Sequence, residues 1–177
     1  MGKITAVSPL APAVFPNLPV IEGVKFASIA AGVKYQGRTD VMLATLGPGT
    51  VVAGAFTRSA TRSAPVLDCQ AKLGQASDQG AAILVNSGNS NAFTGKGGVA
   101  AVEAITDAVA RACDLPQTRV FTSSTGVIGE PLPFERITAV LDTLAASTKA
   151  DGIAGAAKAI MTTDTFAKGS YAECEID

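Results

Sequence analysis

Three stretches of small and polar residues put hydroxyls, amides and glycines at spacings that a reaction could use. In Ser124-Thr125-Gly126-Val127-Ile128-Gly129, glycine permits a backbone geometry that aims the Gly126 N–H into a cavity, and the Thr125 hydroxyl adds a second donor. Two such donors can hold a developing oxyanion. The same residues also serve as a plain turn between strand and helix. Met161-Thr162-Thr163-Asp164-Thr165 follows a small-residue run. Its hydroxyls can accept from a substrate amine or donate to a carboxylate, with Asp164 bracing the loop through nearby backbone. The alternative is a capping turn that binds nothing. Asn86 to Gly98 is rich in Gly, Asn and Ser, with Asn89 and Asn91 as candidate contacts. Such a loop can turn backbone amides toward an anion or a polar ligand end. It is not a P-loop, because six residues separate Gly88 from Gly95 and Gly97 follows Lys96 where Ser or Thr is needed. The plainer reading is a tight connection whose Asn side chains satisfy their own backbone. Lys34, Arg38, Arg58 and Arg62 read as solvated charges near glycines or strand ends.

Histidine is absent from all 177 residues, which removes the usual general base of Ser and Cys hydrolases and the commonest metal ligand. Any chemistry here runs without imidazole or borrows it. Cys69, Cys113 and Cys174 are odd in number and widely spaced, so neither a disulfide framework nor a thiolate metal site is expected, and a reducing cytoplasm fits. Lys plus Arg number 14 against 15 Asp plus Glu, and no segment concentrates positive charge. Nucleic acid and membrane are therefore not expected partners. Pro9, Pro12, Pro16 and Pro19 interrupt the N-terminal apolar residues before the core of a signal peptide can form.

The elements that must position these stretches follow from periodicity. The prolines exclude helix from residues 6–20, so residues 1–23 read as an extended arm, docked through Val14, Phe15, Leu18 and Val20. Val24–Ala31 and Asp40–Leu46 read as two strands joined by a turn at Tyr35-Gln36-Gly37, and Thr50–Thr57 as a third, completing an antiparallel meander. Pro65 opens a short helix containing Val66, Leu67, Ala71 and Leu73. Ala81–Val85 is a buried strand leading into the Asn86–Gly98 loop, and Val99, Val102, Ile105, Val109 and Ala112 predict an amphipathic helix over 99–113. Val120-Phe121 is a short strand. Pro133 starts a helix burying Phe134, Ile137, Val140, Leu141 and Leu144, and Ala150–Ile160 is another, with Asp151 as N-cap. The tail alternates, Ala172, Cys174 and Ile176 against Glu173, Glu175 and Asp177, like a strand with one wet face. A layered α/β or α+β arrangement in a single domain results.

Taken together, AAGVKYQGRTDVMLA, GAFTRSATRSAPV, ILVNSGNSNAFTG, SSTGVIG and IMTTDT, in this order, resemble the bifunctional ornithine acetyltransferase/glutamate N-acetyltransferase family of arginine biosynthesis, from about Ala6 to Phe166. The resemblance implies an α+β fold, a layered two-sheet sandwich flanked by helices with an N-terminal-nucleophile-like architecture, completed by a β chain. Family precursors cut themselves at an Ala-Thr bond, and the new N-terminal Thr becomes the nucleophile with its own α-amine as base. An amine of that kind titrates near neutrality, which accounts for chemistry without histidine. The implied reaction is ping-pong: N-acetylornithine acetylates the Thr, ornithine leaves, and glutamate takes the acetyl group, with acetyl-CoA a donor for some members. No bound cofactor and no metal are implied.

By the same carry-over, Thr125 (side chain) and Gly126 (backbone N–H) match the oxyanion pair, and Thr162 matches the residue that contacts substrate, with Thr163 its immediate neighbour as the other candidate. The Lys-Gly-Ser-Gly-Met stretch and the cleavage site are expected beyond Asp177, making this the α chain of an α2β2 heterotetramer. Two other readings stay open: a related self-cleaving aminopeptidase, which would hydrolyse small peptides, and a non-catalytic small-ligand binding module built on the Gly/Asn loop.

Overall fold

The computed structural model describes residues 6–75 and 77–175. Four strands form one mixed sheet: β1 (Val24–Ile29), β2 (Val41–Leu46), β3 (Ala81–Asn89) and β4 (Val120–Val127), in the order β1-β2-β3-β4. β1 pairs antiparallel with β2 and β2 with β3, whereas β3 and β4 run parallel. A parallel pair needs a crossover, and α2 (Gly95–Cys113) supplies it. The remaining helices are α1 (Ala64–Lys72), α3 (Phe134–Thr138), α4 (Leu141–Ala146) and α5 (Ile153–Ala159).

Period two sorts the strand residues onto two faces. Val41, Leu43, Ala82, Leu84 and Val120 join Ile105 and Val109 of α2, Ile137 of α3, and Leu141 and Leu144 of α4 in the main core. Ala81 and Phe121 point the other way and pack with Cys69 of α1. That second face is also covered at β1, where Gly152 and Gly155 let α5 approach: a Cβ at Gly152 would lie 2.3 Å from the Phe26 carbonyl oxygen. Between these covers, Met42, Ile83 and Val85 stay half-buried. The α+β class with helices flanking a sheet is thus borne out, and this chain contributes one sheet among its described residues. None of its described helices is long and apolar enough to cross a membrane.

Several local expectations are corrected. Thr50–Thr57 forms no strand; Val51 is 90% exposed, and β2 pairs instead with β3. β3 runs four residues past Val85, taking Asn86 to Asn89 out of the expected loop. The helix expected from Pro133 is two helices, redirected at Ala139-Val140 so that Ile137 packs on α2 while Leu141 and Leu144 reach the core. Gly152, not Asp151, caps α5. In the arm, Phe15 and Leu18 pack beside Gly169, whereas Val14 and Val20 are exposed. Residues 172–175 form no strand, and Ile176 and Asp177 lie outside the described residues.

Candidate active site

The C-terminal ends of a parallel strand pair are where α/β sheets commonly place ligands. Here the register sets Ser87 beside Thr125, Gly88 beside Gly126 and Asn89 beside Val127. The strands come unusually close at the glycines: a Cβ at Gly126 would stand 2.3 Å from the Gly88 carbonyl carbon and 2.5 Å from the Asn89 nitrogen, and its φ is +139°. Only glycine fits such a contact.

A cavity of about 140 Å³ opens at this end. Thr125, Gly126 and Val127 from β4 and Gly88 from β3 form one side; Thr162 and Thr163, in the segment after α5, form another. Tyr35 and Arg38, from the loop joining β1 to β2, complete it. Four residues expected from the sequence to act therefore converge on one space. A larger open groove of about 780 Å³ lies elsewhere, beside the start of β3 and the end of α2.

β4 is the outer strand, and alternation decides what its backbone can offer. The Val120 carbonyl accepts from Lys72 Nζ at 3.0 Å and the Thr122 carbonyl from Cys69 Sγ at 3.4 Å, both from α1 on the outer edge. The Val127 carbonyl accepts from the Ser90 N–H on the inner side. By this alternation Gly126, in phase with Val120 and Thr122, leaves its N–H outside the β3 ladder.

Asn89 and Asn91 do not line the cavity. Asn89 Nδ2 donates to the Glu130 and Pro131 carbonyls at 3.0 and 3.2 Å, and its Oδ1 accepts from the Asn91 N–H at 2.7 Å. Asn91 Nδ2 donates to the Gly98 carbonyl at 3.0 Å, and Thr94 Oγ1 donates to Asn91 Oδ1 at 2.7 Å. These side chains brace the chain behind the glycines, Asn91 through its own neighbours and Asn89 also across to the segment after β4. Asp164 does not line the cavity either: it pairs with Lys168, whose ammonium holds the carboxyl below the usual carboxylate range, helped by the nearby backbone of Thr162, as expected of a residue that braces its own loop. Burial pushes the Cys69 and Cys113 thiols up, and neither residue borders the cavity. Among the described residues no cluster of His, Cys, Asp or Glu could hold a metal ion.

Arg38 and Tyr35, which the sequence offers as a solvated charge and a turn residue, line the cavity instead. Arg38 is half-buried, not solvated, and its partners lie 49 and 123 residues away: Nη2 donates to Ser87 Oγ at 3.3 Å and to the Met161 carbonyl. The loop carrying both is held by Asp40, which is 2% exposed and accepts from the Ala31 and Val33 N–H groups at 2.7 and 2.6 Å. Hydrogen bonds to a charged group contribute about 1.5–3 kcal/mol each, and orphaned buried donors cost more. Asp40→Ala in the full-length protein is accordingly expected to destabilise by roughly 3 kcal/mol or more. An unchanged urea midpoint would show that the loop does not depend on this carboxylate.

The ArgJ family model matches residues 25–177. The arginine biosynthesis bifunctional protein ArgJ of Ruegeria pomeroyi is 69% identical over 177 residues, covering 100% of this chain and 43% of that protein. Its counterpart from Gluconobacter oxydans is 49% identical over 177 residues, 100% of this chain and 41% of the relative. The chain thus spans less than half the length of the curated relatives it matches. Among solved structures, ornithine acetyltransferase complexed with ornithine from Mycobacterium tuberculosis superposes with a TM-score of 0.75 at 36% identity, covering 81% of this chain and 77% of that one. The ArgJ protein of Bacillus halodurans gives 0.72 at 31% identity, covering 82% and 75%.

Proposed function

We propose, because this chain belongs to the ArgJ family, that it is the α chain of a self-cleaving ornithine acetyltransferase. It contributes the oxyanion-stabilising half of the active site. The observation that carries this reading is the convergence of Thr125, Gly126, Thr162 and Thr163 on one cavity.

In this reading a β chain from the same precursor brings the N-terminal Thr. Its hydroxyl oxygen attacks the acetyl carbonyl of N-acetylornithine while its α-amine takes the hydroxyl proton. The carbonyl oxygen becomes negative and is held by the Thr125 hydroxyl and the Gly126 N–H. Collapse breaks the C–N bond, the proton passes to the departing amine, and ornithine leaves an acetyl ester on the Thr. The glutamate amine then attacks that ester, giving N-acetylglutamate and restoring the hydroxyl. Thr162, with Thr163 beside it, contacts the substrate. Acetyl-CoA is a candidate second donor.

The half-buried strip Met42, Ile83 and Val85 supports a second sheet, from the β chain, packing on this face in an α2β2 heterotetramer. Residues 1–177 then form one domain with an arm over 1–23, working in the cytoplasm.

The test uses the full-length precursor with N-acetylornithine and glutamate. N-Acetylglutamate should form, and the intact mass of the β chain should rise by one acetyl group when glutamate is withheld. Hydrolysis of small peptides without acetyl exchange would select an aminopeptidase, and ligand binding without turnover a binding module. Release of free CoA from acetyl-CoA decides the second donor.

A further inference from the structure

We infer that Arg38 is a positioning residue: by holding the Ser87 hydroxyl and the Met161 carbonyl from one guanidinium nitrogen, it sets Thr162 and Thr163 opposite Thr125 and Gly126. The threonines need such a tie, because α5 ends at Ala159 and residues 161–165 belong to no helix or strand. Ser87 is a suitable anchor. It sits beside Thr125 in the β3–β4 register, and its own hydroxyl donates to the Ala159 carbonyl at 2.7 Å. The end of α5 and the segment beyond it are thereby referred to the strand pair that carries the oxyanion donors.

Arg38 is itself held in place. Asp40 fixes its loop from inside, Lys34 pairs with Glu130 at 2.5 Å, Arg136 donates to the Gly32 carbonyl at 2.5 Å, and the Tyr35 ring centroid lies 5.9 Å from the guanidinium carbon. A planar guanidinium presents donors at fixed angles, so two acceptors on different segments are held in a set relation; an ammonium on a flexible stem restores only part of that.

The test compares Arg38→Leu and Arg38→Lys in the full-length precursor, for self-cleavage, and in the complex it yields, for exchange and kinetics. Losing a charge-assisted bond to the Met161 carbonyl should speed amide hydrogen exchange across residues 161–165 by roughly tenfold or more in Arg38→Leu, with β4 amides unchanged and Arg38→Lys intermediate. This arm needs no activity. The kinetic arm rests on the acetyl-transfer reading. The KM for N-acetylornithine should rise about tenfold in Arg38→Leu, with kcat falling less and precursor self-cleavage within about threefold of the parent. Arg38→Lys should recover most of the KM. Exchange across 161–165 that is unchanged in both variants overturns the inference, as does an unaltered KM accompanied by equal losses in cleavage and transfer. A parent complex that moves no acetyl group would refute the function, while the exchange measurement would still judge Arg38.

Discussion

Thr125→Ala in the full-length precursor is expected to slow self-cleavage and acetyl transfer alike, each by about a hundredfold or more. In the proposed mechanism both reactions pass through a tetrahedral oxyanion, and both would lose the same hydroxyl donor. The fold should tolerate the change, because the Thr125 hydroxyl makes no hydrogen bond among the described residues and its side chain is half-buried at the cavity. Stability should stay within about 0.5 kcal/mol of the parent. Thr125→Ser, which keeps the donor, should retain most of the rate. Cleavage and transfer at parental rates in the alanine variant would remove Thr125 from the site.

Gly126→Ala should do more harm, by a different route. The added Cβ would meet the Gly88 carbonyl carbon at 2.3 Å and the Asn89 nitrogen at 2.5 Å, on a backbone whose φ of +139° already disfavours any side chain. β3 and β4 must separate at the end that forms the cavity, which moves the amide donor and strains the ladder. We expect cleavage and transfer to fall below detection and stability to drop by roughly 2–3 kcal/mol. The pair of variants therefore separates chemistry from architecture: one loses rate with its melting intact, the other loses both. A Gly126→Ala precursor that cleaves and melts like the parent would mean that the close approach of the strands does not constrain the site.

Much of this arrangement is legible in the sequence, and the exceptions share a cause. Helix α2 is legible because Val102, Ile105 and Val109 repeat on one buried face, and β2 because its apolar run is bounded by glycine and proline. The cavity threonines and Gly126 are legible through family resemblance, since their composition alone suits an ordinary turn. Asn86 to Asn89 look like loop because polarity usually marks solvent. They extend a buried strand because each amide finds a partner inside: Ser124 Oγ donates to Asn86 Oδ1 at 2.6 Å, and Asn86 Nδ2 donates to the Asn89 carbonyl at 2.9 Å. The Ser124 contact depends on a neighbour distant in the chain, which periodicity does not record. Thr50–Thr57 errs in the opposite direction. Its β-branched and apolar residues have strand propensity, yet the β2 edge they would join is taken by β3. Arg38 reads as solvated for the same reason as Asn86 reads as loop, its two partners being set by tertiary contact alone.

The buried asparagines at the end of β3 also bear on how the chain ages. Asn86-Ser87 and Asn89-Ser90 are dipeptides of a kind open to deamidation, which requires the following backbone nitrogen to swing onto the side-chain carbonyl and close a succinimide ring. In this fold the Ser87 nitrogen donates to the Asp40 carbonyl at 2.8 Å and the Ser90 nitrogen to the Val127 carbonyl at 2.9 Å. Both nucleophiles that ring closure needs are already committed, so these two asparagines are chemically durable for as long as the sheet end stays intact.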